Sequence, residues 1–156
     1  MIVNVYTYTT AKAPVNRIVG YAYVLECEIN GTPRTAEKIG RFENISRNLA
    51  EIKCLMAALK QLNRPCTLEI YATSNFTANV INEYLRKWEA SGWKNSRGED
   101  VDEIYKELNT LLKPHKVHGQ TGHTSYSDWL YRESHKEETL CHNSLRNMES
   151  SSHTRP

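Results

Sequence analysis

Along SRNLAEIKCLMAALKQL, residues 46 to 62, the apolar positions Leu49, Ile52, Leu55, Met56, Leu59 and Leu62 recur at spacings of three and four. That draws one stripe down a 3.6-residue period and predicts an amphipathic helix lying on a core. A single acid, Glu51, borders the stripe. The only basic residue at helical spacing from it is Arg47, four positions earlier and in the weaker orientation for an ion pair. Asn48 with Glu51 three residues on fits a capping box, so the acid has a structural explanation from spacing alone.

Alternation with period two marks the strands. IVNVYTYT, residues 2 to 9, is rich in β-branched and aromatic residues. GYAYVLECEI, residues 20 to 29, places Tyr21, Tyr23, Leu25, Cys27 and Ile29 on one face and stops at Asn30-Gly31, a strong hairpin signal, so a return strand is expected at about residues 33 to 42. After the helix, CTLEIYAT sets Cys66, Leu68, Ile70 and Ala72 against Thr67, Glu69, Tyr71 and Thr73. SNFTANVINEYLRKWEASGWK predicts a helix capped by Ser74 and ending near Ser91-Gly92, and VDEIYKELNTLLKP another closed by Pro114. A short HKVH strand and a helix from about Ser125 follow, with Asp128 at capping-box spacing from Ser125. Residues 137 to 156 are polar and aperiodic and are read as a disordered tail behind a domain of residues 1 to 136. The order of elements predicts one α/β domain, a mixed sheet flanked by helices.

Composition narrows the class. A chain of 156 residues with 39% hydrophobic content suits one full core. Twenty basic against eighteen acidic residues give a net charge of +2, too little to announce a polyanion partner by charge alone. Cys27, Cys54, Cys66 and Cys141 form no CxxC pair, which argues against a zinc cage or a disulfide framework. No run approaches a membrane span and no leader pattern opens the chain, so a soluble cytoplasmic protein is expected.

Several segments then match one family in order. GYAYVL, SRNLAEIKCLMAAL, WEASGWK and TGHTSYSDWLYRE together resemble type 1 ribonuclease H over residues 2 to about 136. The resemblance implies a ribonuclease H-like sheet of five strands and an RNA/DNA hybrid as ligand. It also implies two-metal hydrolysis, in which two Mg2+ or Mn2+ ions about 4 Å apart activate water and stabilise the leaving oxygen. Such hard ions need carboxylates from several elements to meet. By resemblance Glu51 is the helix acid, Asp128 the last-helix acid and His123 the loop histidine, although only four residues separate His123 from Asp128 and Gln120 holds the other possible histidine position.

The resemblance implies four acid positions, of which two are lost here, at Tyr8 and Thr73. Glu69 does not substitute for the second, because four strand residues, roughly 13 Å, separate it from Thr73. On the substrate side the resemblance assigns Ser46, Asn48 and Asn75 to the groove of the hybrid, and Trp88, Trp93 and Lys94 to a handle on the DNA strand. Packing between helices is an equally good reading of the two tryptophans. A metal trio of His115, His118 and His123 is discounted, since an extended HKVH segment points its two histidines to opposite faces. The expectation is a nucleic-acid-binding domain with little or no catalysis and with only weak metal binding at Glu51 and Asp128. Two alternatives remain: an active hybrid nuclease with a non-standard site, and a protein-interaction scaffold on the same fold.

Overall fold

The computed structural model describes residues 1–153, with side chains through residue 140. β1 (Ile2–Thr9), β2 (Asn16–Ile29) and β3 (Thr32–Ile45) form an antiparallel meander. The β2–β3 turn carries Asn30 at φ 53° and Gly31 at φ 76°, the paired left-handed conformation that Asn-Gly favours. α1 (Arg47–Leu59) then leads to β4 (Thr67–Tyr71), parallel to β1, and β5 (Lys116–Gln120) adds in parallel beyond it. The sheet order is β3-β2-β1-β4-β5, the five-stranded mixed sheet expected.

Alternation decides what each face buries. Val3, Val5, Tyr23, Leu25, Leu68 and Ile70 meet Ile52, Leu55 and Leu59 of α1 in the main core, with Leu108 of α4 (Glu103–Leu112). Tyr6, Ala22 and Val24 on the opposite face meet Leu130 of α5 (Ser127–His153). Gly20 lets that helix approach: a Cβ there would lie 1.9 Å from the carbonyl oxygen of Ser134.

The helix expected from Ser74 is present but composite. Ser74 caps α2 (Asn75–Asn79), a π-helical turn follows at Val80–Tyr84, and α3 (Leu85–Ala90) completes it. The wide turn coincides with a clasp in which Asn82 donates to Gly119 O at 2.8 Å and accepts from Gly119 N at 2.7 Å, tying the helix to β5.

Two local expectations differ from the structure. α1 is capped by Ser46, whose Oγ accepts from Leu49 N, so the proposed Asn48–Glu51 box is not formed. Nor is Ser125 the cap of the last helix: Ser127 Oγ accepts from Thr124 N at 2.8 Å and the helix starts at Ser127. Beyond residue 136 the chain stays helical as α5 continues to His153. Arg41 of β3 pairs with Glu137 at 3.0 Å, and Glu133 pairs with Lys136 at 3.2 Å, so polar contacts rather than an apolar stripe accompany its early turns. Residues 154–156 of the expected tail lie outside the described residues.

Candidate active site and nucleic-acid face

Glu51 is not a capping acid. It is 3% exposed, and its Oε2 accepts from Ser74 Oγ and Thr77 Oγ1, both at 2.6 Å. Ser74 uses the same hydroxyl oxygen to accept from Thr77 N at 3.3 Å, so the carboxylate orients the cap of α2. Oε1 has no hydrogen-bond partner, with Arg47 Nε 3.7 Å away.

The other positions of the implied acid cluster gather at the carboxyl ends of β1 and β4. Tyr8, Thr73, His123 and Asp128 line one cavity of about 370 Å3, while Glu51 is not part of its lining. Tyr8 lies on the α5 face, with its hydroxyl 3.5 Å from His135 Nε2 and its ring centroid 5.8 Å from that of Tyr131. Burial, then Tyr131 and the charge of Glu138, pushes its pKa above the ordinary tyrosine value, so it presents a neutral phenol at neutral pH. Thr73 Oγ1 donates to Thr7 O at 3.4 Å, and Thr7 Oγ1 to Tyr71 O at 3.2 Å, lacing the two strand ends with hydroxyls. Asp128 has a side chain 92% exposed, and its Oδ1 is 3.7 Å from His123 Nε2.

That donor set does not suit two magnesium ions. One solvent-facing carboxylate, a neutral phenol and a hydroxyl that donates to backbone supply neither the charge nor the convergent oxygens such ions require. Among the described residues no three His, Cys, Asp or Glu side chains come together. His115 Nδ1 instead accepts from Cys66 N, and His118 pairs with Glu69 at 2.9 Å, so the histidine trio is dispersed.

A tyrosine cluster that sequence reasoning missed borders the cavity. Tyr6 stacks on Tyr71 with ring centroids 4.8 Å apart, and Tyr126 reaches Glu26 Oε2 with its hydroxyl at 2.5 Å. Tyr6 lies 3.4 Å from Glu26 Oε1. The hydrogen bond to Glu26, then burial, raises the Tyr126 pKa to about 12, while burial, then Glu26, raises Tyr6 to about 12. Both shifts favour the protonated phenols. Their stabilising contribution is therefore present below the ordinary value near 10 and is lost as pH rises through about 12. Ultraviolet titration should show late tyrosine ionisations, of which those of Tyr6 and Tyr126 move down in Glu26→Gln; an unshifted profile would contradict this network. The available signal was Tyr6 and Tyr8 two apart in one strand, with Tyr131 and His135 four apart in one helix.

On the substrate side, Ser46 caps α1, and Asn48 and Asn75 are exposed, the latter accepting from Thr121 Oγ1 at 3.0 Å. Trp88 and Trp93 are half-buried and pack on the main core, with Trp88 4.9 Å from the ring of Tyr105. Lys94 is paired with Asp100, which draws its charge back to the protein. Their arrangement fits helix packing at least as well as a handle.

The profile of the RNase H family matches residues 2–128. Ribonuclease H of Cupriavidus pinatubonensis is 35% identical over 94 residues, covering 58% of this chain and 65% of the relative. That of Caldicellulosiruptor saccharolyticus is 37% identical over 78 residues, covering 48% and 54%. The chain thus spans less than two thirds of these relatives' length. A crystal structure of a type 1 RNase H with the type 2 active-site motif superposes with a TM-score of 0.71 at 13% identity, covering 88% of this chain and 72% of that one. An RNase H1 in complex with an RNA/DNA hybrid gives 0.61 at 12% identity, covering 89% and 98%. At such identities the superpositions establish the fold, and the profile match across most of the chain establishes the rest: this chain belongs to the RNase H family.

Proposed function

We propose that this domain binds nucleic acid, with an RNA/DNA hybrid as its ligand, and does not cleave it. The observation that carries the reading is the chemistry at the strand ends. Tyr8 and Thr73 are neutral and already engaged where the resemblance calls for two acids, and Glu51 is occupied by Ser74 and Thr77. Binding is supported by the family and by the structural neighbour held in complex with an RNA/DNA hybrid.

A hybrid is read by shape and by 2′-hydroxyls across a wide minor groove, a task suited to short amide and hydroxyl side chains. Exposed Asn48 and Asn75, with Ser46 two residues before Asn48, supply such groups. Asn48→Ala combined with Asn75→Ala is expected to weaken hybrid binding by on the order of 1–3 kcal/mol, measured by filter binding against duplex DNA and duplex RNA over a salt series. Unchanged affinity would favour the scaffold reading, which the packed tryptophans and the Lys94–Asp100 pair also suit.

A further inference from the structure

We propose that the tyrosine-lined cavity between the ends of β1 and β4 and the start of α5 takes one unstacked nucleotide of a single-stranded segment, and does so without metal. This rests on the nucleic-acid reading above and assigns it a second ligand form. Rings reach the cavity from two sides: Tyr6 and Tyr71 from the strands, stacked at 13°, and Tyr131 from the helix against Tyr8. Tyr131 is 56% exposed, a large aromatic surface left open at the cavity, and its ring also lies 4.2 Å from that of His135. Every base has a π-face, so an aromatic surface of this kind binds bases with little regard to sequence.

In the lining, Thr73 Oγ1 donates to Thr7 O and keeps lone pairs to accept, and Ser127 Oγ accepts from Thr124 N and keeps an O–H to donate, to a base edge or sugar. The volume of about 370 Å3 falls in the range of small-ligand sites. Charge selects the occupant. A cluster of four carboxylates repels a phosphate unless cations are bound between them, whereas this lining holds one carboxylate, Asp128, turned to solvent beside His123. A nucleotide can therefore approach with its phosphate uncompensated by metal. Asn75, assigned above to the hybrid groove, is two residues from Thr73 of the lining.

The test is a short single-stranded DNA ending in 2-aminopurine, titrated with the full chain in EDTA while fluorescence is read. Stacking in the cavity predicts saturable quenching. Tyr131→Ala, a change at a half-exposed helix position, is expected to weaken it roughly 10- to 100-fold, and Tyr131→Phe, which keeps the ring, to restore it. Absent quenching, or equal quenching in Tyr131→Ala, with hybrid binding retained, overturns this inference alone. Loss of both single-strand and hybrid binding in the unmodified protein overturns the nucleic-acid reading as well.

Discussion

Replacing Tyr8 and Thr73 together by aspartate is expected to create a divalent-cation site and to raise magnesium-dependent cleavage of an RNA/DNA hybrid above background by at least about a hundredfold. Both positions already line the same cavity as Asp128, so the new carboxylates would enter a site whose third acid is in place. Glu51 lies outside that lining with its Oε2 held by Ser74 and Thr77, so the new site rests on Asp128 and the two introduced carboxylates. Losing the Tyr8 ring from its contacts with Tyr131 and His135 costs some packing, which makes a thermal melt of the double variant a necessary companion. Each single variant leaves one metal under-coordinated and is expected to stay at background. Cleavage is read from a labelled hybrid, and cation binding from calorimetric titration with magnesium. A folded double variant that binds no magnesium would show that the strand ends no longer hold the family geometry.

Glu51→Ala should lower stability by about 2–4 kcal/mol, because it strips the partner from two buried or half-buried hydroxyls and leaves a void beside α1. For a chain of this size that corresponds to a fall in Tm of roughly 5–15 °C. The sign discriminates between two histories of the residue. In a cluster of several carboxylates, removing one in the absence of metal relieves repulsion and stabilises the fold. Here Glu51 is the acceptor of two short hydroxyl bonds that set the cap of α2, so its removal destabilises. Thermal melts in EDTA decide it, and an unchanged or raised Tm in Glu51→Ala would contradict the structural role.

Periodicity exposed the fold where an element buries one face, as α1, β1 and β4 do; β3, exposed along most of its length, was placed by the hairpin signal before it. The stripe of α1 and the alternation of β1 and β4 were visible as spacings, and Asn30-Gly31 announced its hairpin through the backbone conformation it favours. The π-helical turn was not visible, since it coincides with the Asn82–Gly119 clasp, a contact between residues 37 apart. Glu51 shows the same limit within the site. Its sequence neighbours suggest a cap, but its hydroxyl partners come from residues 74 and 77, on another element. The absence of acids at Tyr8 and Thr73 could be read directly from residue type once the family was recognised. What replaced them, a cluster of rings spread over β1, β4 and α5, was legible only in part: the spacings of Tyr6 with Tyr8 and Tyr131 with His135 put rings on one strand face and one helix face, but stacking across elements leaves no trace in spacing.

The measurement that bears most directly on the central claim is a titration of an RNA/DNA hybrid with the unmodified protein in magnesium, in which bound fraction and integrity of the RNA strand are read from the same samples. Saturable, salt-dependent binding with the RNA strand intact is the predicted result. Magnesium-dependent cutting of that strand, abolished by Glu51→Gln, would contradict it.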